Sequence, residues 1–382
     1  MNKITESILY VGCDDKDLDL FEGQYKVPNG ISYNSYVIID EKIAVLDTID
    51  KRKTKEWLEN IEEALAGRGA DYLIVSHMEP DHAANIQNLV EKYPKLKIVG
   101  NAKTFQLISQ FFDLDLSDRK LEVKEGDTLE LGSHTLQFFM APMVHWPEVM
   151  VTYEQSEKIL FSADAFGKFG TLDIEDDWVD EARRYYLNIV GKYGAPVQAL
   201  LKKAANLDLA MICSLHGPVL KENLSYYIGK YDTWSKYEPE EEGVLVAYAS
   251  IYGNTAAAAE ELAKMLEEKG EKVVAVDLAR VDRSQALAYA FQYSKMVLAA
   301  SSYDASVFPC MQEFLQRLHH KNYQKRKVAI IENGSWAPTA GKAMKEIVST
   351  MKDIELVEPS ILIKSTMSEE NRKQMKELVE QF

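Results

Sequence analysis

The sequence predicts a mixed α/β and α+β chain of two domains, the second a doubly wound sheet of five parallel strands. Three observations carry this. The short acidic segment Trp234-Ser235-Lys236-Tyr237-Glu238-Pro239-Glu240-Glu241-Glu242-Gly243, with its Pro and Gly, separates two rhythms of secondary structure. After it, apolar strand-like runs alternate strictly with helical ones, the pattern of a parallel sheet covered on both faces. Before it, short strands are irregularly spaced, and several end in residues of the kind that bind metals.

Taken in order, strands are expected at 35–39, 43–46, 72–76, 98–100, 135–140, 150–153 and 159–162, with helical patterns at 54–65 and 181–190. Beyond the boundary, strands are expected at 244–250, 273–278, 296–301, 328–332 and 356–363. The first of these leads into a helix from Ala256 to Lys269 that Gly270 ends. The expected domains are 1–238 and 243–382.

Composition narrows the class. With 382 residues, 46% hydrophobic and 27% charged, the chain reads as an ordinary folded protein rather than a disordered one. No apolar run approaches the roughly 20 residues that span a bilayer, and Met1 to Glu6 lacks the layout of a secretory signal. A cytoplasmic protein with no membrane partner is therefore expected. A net charge of -16 argues against nucleic acid. Cys13, Cys213 and Cys310 are far apart, which excludes a disulfide framework, a zinc ribbon and a cluster on cysteine ligands.

The densest chemical signal is His77-Met78-Glu79-Pro80-Asp81-His82, directly after the apolar run Tyr72 to Val75. Two imidazoles and two carboxylates on one strand-end loop can be aimed at one point. His145 and His216 also stand just past apolar runs, at 136–141 and 209–214, and Asp164 follows 159–162. Four strand ends thus present ligand-type residues, as one edge of a sheet would.

In the second half, Ser250-Ile251-Tyr252-Gly253-Asn254-Thr255 lies between the first strand and its helix. Hydroxyls, an amide and a flexible Gly253 let backbone N–H groups converge on a phosphate at a helix N-terminus. The loop has no Lys, so it is not a Walker A loop, and the absence of Gly-x-Gly-x-x-Gly favours a terminal phosphate over a dinucleotide. Two further loops, Ser302-Tyr303-Asp304-Ala305-Ser306 and Asn333-Gly334-Ser335-Trp336-Ala337, are expected at the same carboxyl edge. Tyr303 and Trp336 are candidates to face a flat ring system.

With these motifs the chain resembles the flavodiiron proteins along its whole length. The resemblance implies an N-terminal αββα metallo-β-lactamase-like sandwich and a C-terminal flavodoxin-like domain. Zinc hydrolases of the first fold carry His-x-His-x-Asp-His, whereas the flavodiiron pattern is His-x-Glu-x-Asp, matched here by His77, Glu79 and Asp81. By resemblance, one iron is held by His77, Glu79 and His145. The other is held by Asp81 and His216, with His82 an optional ligand because its counterpart in the family does not always ligate, and Asp164 bridges. The implied cofactors are two non-haem irons and FMN, the latter on Ser250, Ile251, Tyr252, Gly253, Asn254, Thr255, Ser302, Tyr303, Asp304, Ala305, Asn333, Gly334, Ser335 and Trp336. The implied activity is reduction of dioxygen to water, of nitric oxide to nitrous oxide, or both.

The residues agree on chemical grounds, since Glu79 and a bridging carboxylate make an oxygen-rich site that suits iron better than zinc. The competing readings are a zinc hydrolase with an accessory flavodoxin-like domain, and a redox carrier or sensor. Without rubredoxin-like cysteine pairs, the electron donor is expected to be separate: a rubredoxin-type protein, a nicotinamide oxidoreductase or a reduced deazaflavin. A head-to-tail homodimer or dimer of dimers is expected. Among the remaining features, the basic run Lys321 to Lys327 reads as a solvated face, His134 as a surface histidine, and Trp146 and Pro147 as pocket walls.

Overall fold

A computed structural model describes residues 2–382. The chain forms two compact units: residues up to Tyr186 together with Ala195–Tyr231, and Leu187–Gly194 together with Asp232–Phe382.

The first unit is built on two sheets. One has seven strands in the order Asn2–Lys3, Ile8–Tyr10, Tyr36–Ile38, Ala44–Leu46, Tyr72–Ile74, Lys97–Gly100 and Lys120–Glu122. The other has five, Thr128–Glu130, Thr135–Met140, Met150–Glu154, Ile159–Phe161 and Met211–Cys213. Tyr36, Ile38, Leu46, Ile74 and Val99 of the first sheet share one core with Leu136, Phe138, Met150, Ile159 and Phe161 of the second. Each large apolar side chain buried in this way contributes about 1.5–3 kcal/mol. Helix Thr54–Leu65 adds Trp57 and Ile61 to the buried set, in the αββα layering expected of the sandwich.

One expectation is corrected here. The strand ends that carry candidate ligands do not share a sheet. Tyr72–Ile74, which precedes His77, lies in the seven-stranded sheet, whereas Thr135–Met140, Ile159–Phe161 and Met211–Cys213, which precede His145, Asp164 and His216, lie in the five-stranded one. Those three run in the same direction, each being antiparallel to Met150–Glu154 or parallel to Ile159–Phe161. Their carboxyl ends therefore meet one edge, facing the loop of the opposite sheet.

In the second unit five parallel strands run in the order Val273–Asp277, Glu241–Ala249, Tyr293–Tyr303, Arg326–Asn333 and Ile354–Ile363. The order 2-1-3-4-5 is that of flavodoxin-type sheets, whose ligands bind at the carboxyl ends of the strands. Helices Asn254–Glu268 and Glu369–Val379 cover one face through Ala258, Leu262, Met375 and Leu378. The first of these helices begins two residues ahead of the expected Ala256, because Asn254 and Thr255 enter it directly from Gly253. The segment 302–306 is also more ordered than a loop: Ser302 and Tyr303 continue their strand and pair with Ser306–Val307 across a turn at Asp304 and Ala305.

Two side-chain readings are overturned. Arg326 of the basic run is buried at 3% exposure, and its guanidinium donates to the carbonyls of Phe291, Tyr293, Tyr237, Gln324 and Lys325. Lys321 and Asn322 donate to the carbonyls of Asn188 and Lys192, so the run fastens neighbouring segments instead of forming a solvated face. His134 is buried rather than on the surface. Its backbone N–H and Nδ1 both lie 2.7 Å from Asp40 Oδ2, and its Nε2 lies 3.0 Å from Ser7 Oγ and 3.2 Å from Glu157 Oε1.

Candidate metal centre and flavin site

The shape of the metal loop is set just past the strand Tyr72–Ile74. Pro80 opens a single helical turn, Pro80–Ala83, with Glu79 in extended conformation at its cap. His77 and Glu79 therefore precede the turn, while Asp81 and His82 come from within it. Asp47, at the end of strand Ala44–Leu46, holds the loop from below: its Oδ1 accepts from Ser76 N at 2.7 Å and His77 N at 3.3 Å.

These residues converge with His145, Asp164 and His216 in two groups. In the first, Glu79 Oε2 lies 3.2 Å from His77 Nε2 and 3.0 Å from His145 Nε2. Asp164 Oδ2 is 3.4 Å and 3.2 Å from the same two nitrogens. In the second, Asp81 Oδ2 lies 3.3 Å from both His82 Nε2 and His216 Nε2. Asp164 Oδ1 is 3.1 Å from His82 Nε2 and 3.8 Å from His216 Nε2. Asp164 thus turns one oxygen to each group. All seven expected metal residues, His82 included, are brought together.

The electrostatics are those of a cation site. Burial opposes ionisation of Asp164, but His82, His145 and His77 outweigh it and hold the carboxyl well below its usual range. Burial raises Asp81 to about 7, with Glu79 and Asp164 adding to the rise and His82 opposing it. Burial lowers His216. It also works against a charged His145, yet contacts with Asp164 and Glu79 raise that ring to about 9. Three carboxylates buried this closely cost several kcal/mol each unless positive charge compensates them.

The donor atoms are also those of a metal site. Among the described residues, both oxygens of Asp81 and Asp164 and the Nε2 atoms of His82, His145 and His216 are buried without a hydrogen bond. Such groups are normally satisfied, and short N–O approaches without hydrogen-bond geometry are what lone pairs aimed at a shared cation give. The ring nitrogens are oriented from outside: His216 Nδ1 donates to Ser32 O at 2.7 Å, and His77 Nδ1 to Glu148 Oε1 at 2.8 Å. Aromatic rings wall the site, with Phe21 5.5 Å and Tyr185 5.4 Å from the His216 ring and Trp146 5.2 Å from the His77 ring.

Sequence reasoning missed Asp47, Ser32 and Glu148. Asp47 carried a usable signal, an acid just past an apolar strand. Glu148 carried a weaker one, three residues after His145. Ser32 acts through its backbone, which no residue type announces.

On the second unit, Gly253 has φ +93°, a conformation that favours glycine, and caps helix Asn254–Glu268. Its N–H donates to Ser250 Oγ at 3.1 Å. Thr255 is buried, with its hydroxyl 2.8 Å from that of Ser301. Ser302 Oγ accepts from Thr339 N at 2.8 Å and Ala340 N at 3.1 Å, which ties Ser302 to the start of the helix that follows the expected loop Asn333–Ala337. Gly334 is needed there, since a Cβ would come 2.7 Å from Pro338 Cα. Asn333 is paired with Ser365 by reciprocal bonds of 3.0 and 3.1 Å, a further loop that the sequence did not point to. Tyr252 and Trp336 are 94% and 92% exposed and Tyr303 44%. Ring-sized apolar surface beside a helix N-terminus fits FMN, with its flat ring and terminal phosphate.

Comparison with known proteins agrees with this geometry. The "ODP family beta lactamase" pattern matches residues 31–217 and the "Flavodoxin" pattern residues 246–358. An uncharacterized protein of Methanocaldococcus jannaschii is 30% identical over 356 residues, 91% of this chain and 89% of that one. The putative diflavin flavoprotein A 1 of Nostoc sp. is 30% identical over 95% of this chain, which spans 63% of that relative's length. An anaerobic nitric oxide reductase flavorubredoxin of Vibrio vulnificus is 29% identical over 87% of this chain and 70% of its own length. The solved rubredoxin oxygen:oxidoreductase of Desulfovibrio gigas superposes with a TM-score of 0.93 at 24% identity, covering 99% of this chain and 96% of that one. The chain belongs to the flavodiiron protein family. Flavodiiron membership brings FMN and a non-haem diiron centre with it, and the donor sets of both units fit those groups. Among the described residues, no helix of this flavodiiron protein is long and apolar enough to cross a membrane.

Proposed function

We propose that the chain is a flavodiiron reductase that takes electrons from a separate donor and reduces dioxygen to water, nitric oxide to nitrous oxide, or both. The observation that carries this is Asp164, whose two oxygens face two separate nitrogen-and-oxygen donor groups. A bound iron pair supplies two adjacent redox-active positions for diatomic molecules, and FMN supplies single-electron transfer. His77, Glu79 and His145 would hold one metal, Asp81, His82 and His216 the other, and Asp164 both. Phe21, Tyr185 and Trp146 keep water from the buried donors. Residues Ser250 to Thr255 would hold the FMN phosphate, with Ser302 to Ala305 and Asn333 to Trp336 lining the ring.

Relatives bearing nitric oxide reductase and rubredoxin oxygen:oxidoreductase names support both substrates. We place the working domains at 1–238 and 243–382, in the cytoplasm. The donor is a rubredoxin-type protein, a nicotinamide oxidoreductase or a reduced deazaflavin, and the unit is a head-to-tail dimer or dimer of dimers. A zinc hydrolase is disfavoured by Glu79 at a position where a third neutral imidazole suits zinc better. The test is anaerobic reduction of the iron- and FMN-loaded protein followed by addition of dioxygen or nitric oxide. Consumption of at least one of them, dependent on both cofactors, is expected. Hydrolysis of an ester or lactam by a zinc-loaded form, with neither gas consumed, would reverse the reading.

A further inference from the structure

The two metal positions share a bridge but differ in what stands behind their imidazoles. His216 leans on a neutral carbonyl, that of Ser32. His82 Nδ1 has no hydrogen-bond partner among the described residues. Of the four imidazoles, His77 is the one backed at its outer nitrogen by a carboxylate among the described residues: Glu148, which is fully buried, whereas His145 meets carboxylates only through Nε2. Glu148 Oε1 accepts both from His77 Nδ1 at 2.8 Å and from Met78 N at 2.9 Å, so one oxygen fixes the ring and the backbone next to it.

Glu148 is held in turn. It sits on the loop that also delivers His145, closed at its neck by the Ala141 N to Val149 O bond of 2.8 Å. Asn101 Nδ2 donates to Glu148 O at 2.6 Å, while Asn101 Oδ1 caps helix Ala102–Phe111 through Lys103 N and Thr104 N. Behind the loop lies a cavity of about 310 Å³ lined in part by Asn101, Met140, Pro142, Pro147 and Val149. On that side the Asn101 bond ties the loop to the start of helix Ala102–Phe111.

We propose that Glu148 is a positioning residue: it fixes the ring of His77 with Nε2 facing the metal and, by its charge, makes the position formed by His77, Glu79 and His145 the stronger of the two. A carboxylate behind a ligating imidazole raises the donor strength of the other nitrogen, and loss of such a partner usually costs 10–100-fold in metal affinity. The inference rests on the diiron reading proposed for the site and extends it to an asymmetry between the two metals.

Glu148→Gln isolates the charge. Because both groups facing Oε1 are donors, the amide oxygen takes that place and both hydrogen bonds are kept, while the amide nitrogen replaces Oε2, which is buried without a partner. Metal-free protein, prepared by chelation, is titrated anaerobically with ferrous iron or cobalt(II) against a competing chelator. Wild-type chain should show two unequal steps. In Glu148→Gln the tighter step should weaken 10–100-fold and the other move less than about threefold. Flavin content should be unchanged, the metal-free form should still melt cooperatively, and the loaded variant should be reduced at a higher potential. Asn101→Asp, which keeps the helix cap and removes the donor to Glu148 O, should weaken the same step by a smaller factor, and it decides the matter if Glu148→Gln does not fold. An unchanged first step, or equal weakening of both, would overturn the inference. A wild-type chain that binds no pair of metals would defeat the diiron reading itself.

Discussion

Glu79 stands where a zinc hydrolase of this fold would have an imidazole, and its Oε2 lies within 3.2 Å of both His77 and His145. Glu79→His removes one of three negative charges from the donor set, and bound metal should shift from iron toward zinc while flavin stays near full occupancy. Metal analysis of the purified variant checks this, and two irons with normal turnover would remove Glu79 from the ligand set. His134 gives a stability counterpart far from the metals. Burial opposes its charge, but hydrogen bonds with Asp40 and Glu157 raise it above its ordinary value of about 6.5. A raised folded value means the contribution is full below about pH 6.5 and fades as pH climbs through the folded value. Wild type should therefore exceed His134→Gln by about 1.5–3 kcal/mol near pH 6, with the gap closing in alkaline buffer. Thermal melts across pH 6–9 measure it, and a constant gap would count against the charge. The clustering of the seven candidate metal residues was legible because a metal site needs rare residue types at strand ends. His134 and Glu148 were not, because buried polar groups that bind other protein atoms leave no comparable signature.

Strand-to-helix turns form the proposed flavin site, and Gly253 is the pivot of the first. At φ +93° a β-branched residue is strained, even though open space surrounds the position. Gly253→Val should release the flavin yet leave metal content near that of wild type, because the donors of the metal centre lie on another compact unit. Absorbance of the purified variant settles this, and a retained yellow colour at full occupancy would put the cofactor elsewhere. The βαβ rhythm made the second sheet and its carboxyl-edge loops readable, since parallel strands are near-continuous apolar runs. Which strands share a sheet was not readable in the first unit. His77 belongs to one sheet and His145, Asp164 and His216 to the other, and short strands of similar composition carry no mark of their partners.

In the chain as a whole, metal loops and flavin loops lie on separate compact units. Head-to-tail dimers would let each flavin serve the partner's irons. A chain with His77→Ala and Asp164→Ala, mixed with one carrying Gly253→Val, should recover activity that neither parent has, near half the wild-type rate per heterodimer. Inactivity of correctly loaded heterodimers would place electron transfer within each chain. At its simplest, one chain is expected to hold two irons, with Asp164 between them, together with one FMN. The most direct measurement is iron, zinc and flavin content per chain of the anaerobically purified protein, combined with low-temperature electron paramagnetic resonance during stepwise reduction. About two irons and one FMN per chain are expected and, at partial reduction, the signal of two coupled irons of unlike valence, lost in Asp164→Ala. Zinc in place of iron, or two irons that behave as isolated ions, would contradict this.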